Sequence, residues 1–296
     1  MNNFNEIKSN IVGVFGYPLQ HSLSPFMHNN AFQLANLNFI YTSFEIPIIN
    51  LKSAVVGVKA LGIKGFNVTI PYKEKIIDFI DNLSEESSII GAVNTVVNEN
   101  GILHGYNTDT NGIFETLFPL KEYIDNSEVT IIGSGGAARS AIFTLIRKFK
   151  INKINIINRS KDRAATLADY FAAKMNYNSF EIYELFPPEI VNPIRDSALV
   201  INATPLGLYP EIEDSPTEIV DSFHKGQVVF DFVYNPLQTK FLQIAERNGA
   251  KKINGLKMFV EQGAKSFELW TNQTMPKSKI YQLVEEKLKT DLEKVD

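Results

Sequence analysis

Apolar residues recur along this chain in two registers, one of period two or unbroken over strand length, the other at helical spacing. Ile11-Val12-Gly13-Val14-Phe15-Gly16 predicts a buried strand, and Phe39 to Ile46 alternates as a second one. Between them Phe26, Met27, Ala31, Phe32 and Leu34 are spaced as one face of a helix, behind a proline at the favoured first helical position, Pro25. Ile48 to Leu61 is helical in pattern, Phe66 to Ile70 predicts a third strand, and Tyr72 to Ile80 and Glu85 to Ile90 predict helices. Val93 to Val97 and Ile102 to Tyr106 flank Asn100-Gly101, a strong signal for a tight hairpin. The region therefore reads as an α/β unit with one antiparallel pair.

A second alternation starts at Glu128. Val129 to Ile132 and Ile154 to Ile157 predict strands, each followed by a helix, Ala137 to Phe149 and Asp162 to Met175. Leu199 to Asn202 and Val228 to Phe232 are further unbroken apolar runs, the mark of strands covered on both faces. Repeated strand and helix imply a parallel, doubly wound sheet. Pro187 to Arg195 holds three prolines and reads as loop or short helix, and Thr239 to Asn248 as a helix ended by Gly249. Leu256 to Trp270 and Lys277 to Leu292 are long amphipathic patterns separated by Pro276.

At 296 residues the chain exceeds what one core usually organises, so two domains are expected. A net charge of −4, from 29 basic and 33 acidic residues, gives no basic face for nucleic acid. No apolar stretch is long enough to span a membrane, and the polar start, Met1 to Asn10, has no apolar core of a signal peptide. The absence of cysteine removes disulfides, thiolate zinc sites and thiol nucleophiles together. The four histidines show no pair at metal-ligand spacing, so no metal is expected. A cytoplasmic enzyme or binding protein is the expectation.

Candidate chemistry gathers at strand ends. In Asn67-Val68-Thr69-Ile70-Pro71-Tyr72-Lys73 the proline stops the ladder, because it has no N–H to donate. Thr69 and Lys73 are thereby set at the rim of an open sheet, where ligands of such folds bind. Asn107-Thr108-Asp109 follows another strand-like run. Val129 to Arg139 places Gly133-x-Gly135-x-x-Ala138 directly after a strand and at the opening of a helix. In that setting the glycines permit a tight turn and close approach of the backbone to a pyrophosphate at the helix N-terminus, with Gly136 and Ala137 in the same turn. At the end of the next strand stands Asn158-Arg159-Ser160-Lys161-Asp162-Arg163, with no acid at its tip to accept from the ribose hydroxyls of NAD. Arg159 and Arg163 at a helix start, where a cation is disfavoured without an anion partner, favour the 2′-phosphate of NADP over a merely solvated helix end. Ser22 and Ser24 precede a helix start; one can cap it, which leaves the other for a ligand carboxylate.

These motifs, in order and spacing, resemble the shikimate dehydrogenase family (shikimate/quinate dehydrogenases). The likeness is carried by Gly16 to Asn29, Asn67 to Lys73, Gly91 to Thr95, Asn107-Thr108-Asp109, the glycine loop, Asn158-Arg159-Ser160, Asn202-Ala203-Thr204, Asp231 to Tyr234 and Gln262-Gly263-Ala264. The resemblance implies reversible, NADP-dependent reduction of 3-dehydroshikimate to shikimate, a step of aromatic amino-acid biosynthesis. It implies Lys73 and Asp109 as the catalytic pair, with Ser22, Ser24 and Tyr234 at the substrate carboxylate and Thr69, Asn94, Asp109 and Gln262 at its ring hydroxyls. It assigns the cofactor to Gly133, Gly135, Gly136, Ala137, Asn158, Arg159, Ser160, Arg163, Thr204 and Gly255. The implied fold is α/β in two domains. Residues 1–108 form an N-terminal substrate domain with a mostly parallel sheet, completed by C-terminal helices within 256–296, and residues 109–255 form a Rossmann-like doubly wound NADP domain.

Two departures from the family pattern stand out, Asn254 before Gly255 where Asp is common, and Leu208 after Gly207 where Met is common. Neither removes a catalytic group. Two other readings remain, a quinate/shikimate dehydrogenase that also uses NAD and a non-catalytic sensor of dinucleotide or shikimate ligands. The presence of both Lys73 and Asp109 argues for an enzyme. The sequence sets no oligomeric state, and the resemblance admits a monomer or a homodimer.

Overall fold

A computed structural model describes residues 9–292. The chain divides into two compact units, one running up to Thr108 with Val260–Lys287 added, the other comprising Asp109–Phe259 and the residues from Leu288 on.

The first unit holds six strands, β1 (Asn10–Gly16), β2 (Phe39–Glu45), β3 (Gly65–Val68), β4 (Asn82–Leu83), β5 (Thr95–Glu99) and β6 (Ile102–Tyr106), in the order β2-β1-β3-β5-β6-β4. Helices α1 (Ser24–Leu34), α2 (Leu51–Leu61) and α3 (Glu85–Ile90) connect them. β1 pairs in parallel with β2 and β3 on either side, which is why its run is buried from Val12 onward. α2 lays Leu51, Val55 and Val58 on Phe66, Val68 and Val96, and Gly62 ends it in the left-handed conformation (φ 67°). Asn100 (φ 55°) and Gly101 (φ 91°) make the hairpin turn between β5 and β6 that their dipeptide predicts.

Three differences from the sequence reading bear on the site. β5 is antiparallel to β3 as well as to β6, so the sheet has two antiparallel pairs instead of one. Asn67 faces Thr95 in that register, so the chain leaves the sheet after β3 and returns to β5 at the same end, with β4 pairing in parallel with β6 in between. The third strand stops at Val68, and the expected helix Tyr72 to Ile80 is a single 3₁₀ turn, Lys75–Phe79. The backbone there is committed elsewhere: Thr69 N–H donates to Phe15 O (2.9 Å) and Tyr72 N–H to Thr69 O (2.9 Å).

The second unit starts with helices α4 (Asp109–Leu117) and α5 (Lys121–Ile124), neither of which the apolar pattern announces. Its strands are β7 (Glu128–Ile132), β8 (Lys153–Asn158), β9 (Phe180–Glu184), β10 (Leu199–Asn202), β11 (Val228–Asp231) and β12 (Lys251–Ile253), with helices α6 (Gly136–Lys148), α7 (Lys161–Met175), α8 (Pro187–Asp196) and α9 (Lys240–Arg247) between them. All pairs are parallel and the order is β9-β8-β7-β10-β11-β12. Counted from β7 this is 3-2-1-4-5-6, the doubly wound dinucleotide-binding arrangement, whose strand order reverses between β7 and β10. α8 starts on Pro187 and Pro188, which suit a first turn where no N–H is needed, and it carries the third proline, Pro193, in its interior. Helix α10 (Leu256–Thr271) contains the boundary between the units, and α11 (Lys277–Leu292) follows it. Among the described residues no helix is long and apolar enough to cross a membrane.

Candidate active site

In the first unit, backbone bonds draw most of the predicted substrate residues to the end of the sheet where β1 and β3 finish. Val68 N–H donates to Asn94 O (2.8 Å), Val93 N–H to Lys73 O (2.7 Å) and Asn94 N–H to Tyr106 O (3.0 Å). Thr69, Lys73 and Asn94 therefore share one rim, with Asn94 buried (3% exposed) and the other two half-buried. Gly16 lets the turn before α1 approach this rim, since a Cβ there would come 2.5 Å from Thr69 Cγ2 and 2.6 Å from Leu19 Cδ2. Ser22 N–H bonds Leu19 O (3.0 Å), and its hydroxyl accepts from Ser24 N–H at 3.4 Å. Neither serine is the N-cap of α1; that position is Leu23, with no side-chain cap bond.

Beneath Asn94 lies a buried polar network to which the sequence assigned no role. Asn94 Oδ1 accepts from Thr108 N–H (2.7 Å) and lies 3.0 Å from the Thr95 hydroxyl. The hydroxyls of Thr95, Thr108 and Ser266 form a triangle with sides of 2.8, 3.1 and 3.2 Å. Asn67 Nδ2 donates to Thr95 Oγ1 and Ser266 Oγ (3.0 Å each), and its Oδ1 accepts from Tyr41 OH (2.7 Å). Ser266 also donates to Gln262 O (3.1 Å), so the helical turn carrying Gln262 hangs on the same hydroxyl cluster. Trp270 Nε1 adds a bond to Val96 O (3.0 Å). A satisfied buried network of this kind fixes side-chain orientation, because any rotation leaves a buried group unpaired. His28 stacks on Tyr41 (4.5 Å, 5° between planes), and neither of its ring nitrogens has a hydrogen-bond partner among the described residues. Full burial lowers its pKa to about 3, so it is neutral.

In the second unit, Asp109 opens α4 directly after Thr108 and is 4% exposed. The loop after β7 has the geometry a dinucleotide needs. Gly133 sits at φ 118°, and a Cβ there would come 3.1 Å from Ala203 O and from Thr204 Cγ2, across the point where strand order reverses. Gly135 is the N-cap of α6, whose first turn (from Gly136 and Ala137) has no side-chain cap and no acidic residue, so its N–H groups suit a pyrophosphate. At the end of β8, Asn158 Nδ2 donates to Ser160 O (2.9 Å) and Ser160 caps α7 by accepting Arg163 N–H (3.3 Å). Arg159 and Arg163 are left exposed on this shaped turn. These residues suit a phosphorylated dinucleotide in their chemistry, with open N–H groups at the start of α6 and two exposed guanidinium groups after β8.

The ends of β10 and β11 supply the remaining predicted residues. Thr204 donates through N–H (3.0 Å) and hydroxyl (2.6 Å) to Asn202 Oδ1. Tyr234 stacks on Phe259 (4.2 Å, 20°), and Gly255 must be glycine because a Cβ would lie 2.2 Å from Phe232 O. Asn254 accepts Leu256 N–H (3.2 Å) at the start of α10 and donates to Leu237 O (3.2 Å), the second of which an aspartate could not do. Asp231 is buried and bonded to three donors; burial, opposed by those bonds, pushes its pKa up to about 7. Among the described residues no group of three or more His, Asp or Glu side chains is placed to hold a metal.

Three family models match the chain: the shikimate dehydrogenase substrate-binding domain over residues 14–96, shikimate/quinate 5-dehydrogenase over 118–205, and the shikimate 5′-dehydrogenase C-terminal domain over 255–285. A shikimate dehydrogenase (NADP(+)) from Caldanaerobacter subterraneus subsp. tengcongensis is 42% identical over 280 residues, spanning 93% of this chain and 96% of that protein. A crystal structure of shikimate dehydrogenase in complex with NADP+ aligns with TM-score 0.86 at 36% identity, over 95% of this chain and 96% of the other. Shikimate 5-dehydrogenase from Listeria monocytogenes, in complex with shikimate and NAD, aligns with TM-score 0.83 at 33% identity, over 96% and 99%. With these family models matched in chain order and a relative 42% identical over 93% of its length, this chain belongs to the shikimate dehydrogenase family.

Proposed function

We infer that the chain catalyses the reversible, NADPH-dependent reduction of 3-dehydroshikimate to shikimate, the activity named for its relatives. The observation that carries this is the pairing, in one chain of that family, of a rim bearing Thr69, Lys73 and Asn94 with a 3-2-1-4-5-6 sheet whose second strand ends in exposed arginines. Residues 1–108, with the C-terminal helices in 256–296, make the substrate domain of this reading, and 109–255 the NADP domain.

NADPH, when bound, supplies the hydride. The Lys73 ammonium stabilises the negative charge that develops on the carbonyl oxygen and donates the proton that completes the hydroxyl; in the oxidative direction its amine accepts that proton. General acid–base assistance of this kind is worth about 10²–10⁴-fold. Asp109 orients the ammonium and the reacting hydroxyl. Asn94, held by the Thr95–Thr108–Ser266 cluster, and Thr69 and Gln262 bind the other ring hydroxyls, while Ser22, Ser24 and Tyr234 hold the carboxylate. Gly133, Gly135, Gly136, Ala137, Thr204 and Gly255 line the cofactor path, and Asn158, Arg159, Ser160 and Arg163 take its 2′-phosphate end. A cytoplasmic location is part of the proposal, because the reaction draws on the NADPH pool there.

The deciding experiment follows NADPH formation from NADP+ with shikimate and with quinate in parallel, and repeats both with NAD+. Turnover of shikimate with NADP+, well above any of the other three combinations, is expected. Quinate turned over as fast with NAD+ would replace this reading by the quinate/shikimate one. Absence of turnover in a chain that still binds NADPH would replace it by a sensor.

A further inference from the structure

Asp231 has no part in the scheme above, yet its fully buried carboxylate accepts three hydrogen bonds. It ends β11 with 0% exposure. Three donors reach it, each from a different piece of chain. Asn202 Nδ2, at the end of β10, donates to Oδ1 (2.9 Å); Val233 N–H, in the turn that carries Tyr234, donates to the same oxygen (3.0 Å); and the Thr239 hydroxyl donates to Oδ2 (2.6 Å). Thr239 is itself buried and is the N-cap of α9, accepting Leu242 N–H at 3.3 Å.

Asn202 passes the constraint on. Its Oδ1 takes both donors of Thr204, and its Nδ2 also reaches Leu206 O (3.3 Å), after which Gly207 turns the chain at φ 90°. The far side of this loop packs beside Gly133, where a Cβ would come 3.1 Å from Ala203 O and from Thr204 Cγ2. A continuous set of contacts thus runs from Asp231 through Asn202 and Thr204 to the glycine turn at the reversal of strand order.

We propose that Asp231 is a positioning residue for the dinucleotide: its carboxylate fixes Asn202, and through it the Thr204 loop that walls the crevice beside Gly133. This rests on the nucleotide reading given under Proposed function. The chemistry requires a carboxylate. Once ionised, above about pH 7, the group only accepts and satisfies three donors at once, whereas an amide would aim an N–H at Thr239, whose oxygen already takes Leu242 N–H and whose own proton would lose its acceptor. The Thr204 loop follows β10 and the arginines follow β8, on opposite sides of β7. Loss of Asp231 therefore weakens NADPH and NADH by the same factor, while loss of Arg159 discriminates between them.

The test is a fluorescence titration of the full chain with NADPH and NADH, with thermal melts run alongside, on wild type, Asp231→Asn, Thr239→Val and Thr239→Ser. Asp231→Asn is expected to raise the Kd for both nucleotides about tenfold, the scale of a lost hydrogen bond to a charged group. Thr239→Val should raise it about threefold, and Thr239→Ser, which keeps the hydroxyl, should restore wild-type affinity. If Asp231→Asn does not fold, the Thr239 pair carries the comparison. A lower Tm with both Kd values within twofold of wild type overturns the proposal and leaves Asp231 a purely structural group, as does a loss confined to NADPH. Wild type that fails to bind NADPH at all overturns the nucleotide reading itself.

Discussion

Lys73 and Arg159 show how far a single residue can be argued. Lys73 stands on the 69–94 excursion, with its carbonyl pinned by Val93 N–H, so its side chain starts from a fixed point. Lys73→Ala should lower kcat by about 10²–10⁴-fold and move the KM for shikimate by less than about threefold. Steady-state kinetics on a variant with an unchanged melting curve checks this, and equal losses in kcat and affinity would refute an acid–base role. Arg159→Ala should raise the KM for NADP+ about tenfold or more and leave that for NAD+ nearly unchanged, since only the 2′-phosphate distinguishes them. The placement of both residues at strand ends was legible because each sits in a short motif whose local geometry is set by neighbours in sequence. Ser266 was not. It occupies an unremarkable position on an amphipathic helix, and its meaning comes from Thr95 and Thr108, more than 150 residues away in the chain.

Among the elements, those whose signal is local formed as predicted. The Asn100-Gly101 hairpin and the glycine turn after β7 each depend on a backbone conformation that glycine or asparagine favours. The edge strands β9 and β12 escaped because they are half-exposed and carry no unbroken apolar run. α4 escaped because its opening turn, Asp109-Thr110-Asn111-Gly112, is polar. Gly65 marks a close approach that sequence could not reveal: a Cβ on this residue of β3 would lie 2.3 Å from Val96 O and 2.4 Å from Trp270 Nε1. Gly65→Ala should therefore destabilise the chain by about 1–3 kcal/mol, the cost of forcing packed atoms apart. A lower urea midpoint with unchanged m-value would show it, and an unchanged midpoint would mean that α10 yields freely at Trp270.

For the whole molecule, two buried titratable groups set opposing pH dependences. His28 has its pKa lowered from 6.5 to about 3, so the unfolded chain binds the extra proton. Its contribution to stability is full above about pH 6.5 and is lost as pH falls towards 3. Asp231 is raised from 3.8 to about 7, so the folded chain holds the extra proton, and its contribution is full below about pH 4 and lost as pH rises through 7. Between those limits the two slopes offset each other. Replacing His28 by Phe, which stacks on Tyr41 without two unpaired nitrogens, removes one of them. Measured by urea denaturation, the stability of wild type relative to His28→Phe should fall by about 2–3 kcal/mol from pH 6.5 to about pH 4.5 and stay flat above 6.5. A difference that does not vary with pH would mean that His28 protonates in the folded chain.

The core strands and the helices that follow β7 and β8, the dinucleotide turn, the arginine-bearing strand end and the motif carrying Thr69 and Lys73 were all determined by sequence, because each is a matter of periodicity or of backbone conformation over a few residues. Tertiary structure decided what those signals could not encode. It placed β5 antiparallel beside β3, which brings Thr69 and Asn94 to one rim, and it brought Asn67, Ser266, Asn202 and Asp231 to partners distant in the chain. Such contacts follow from which surfaces are buried together, and a buried donor or acceptor finds its partner only when the fold has closed around it.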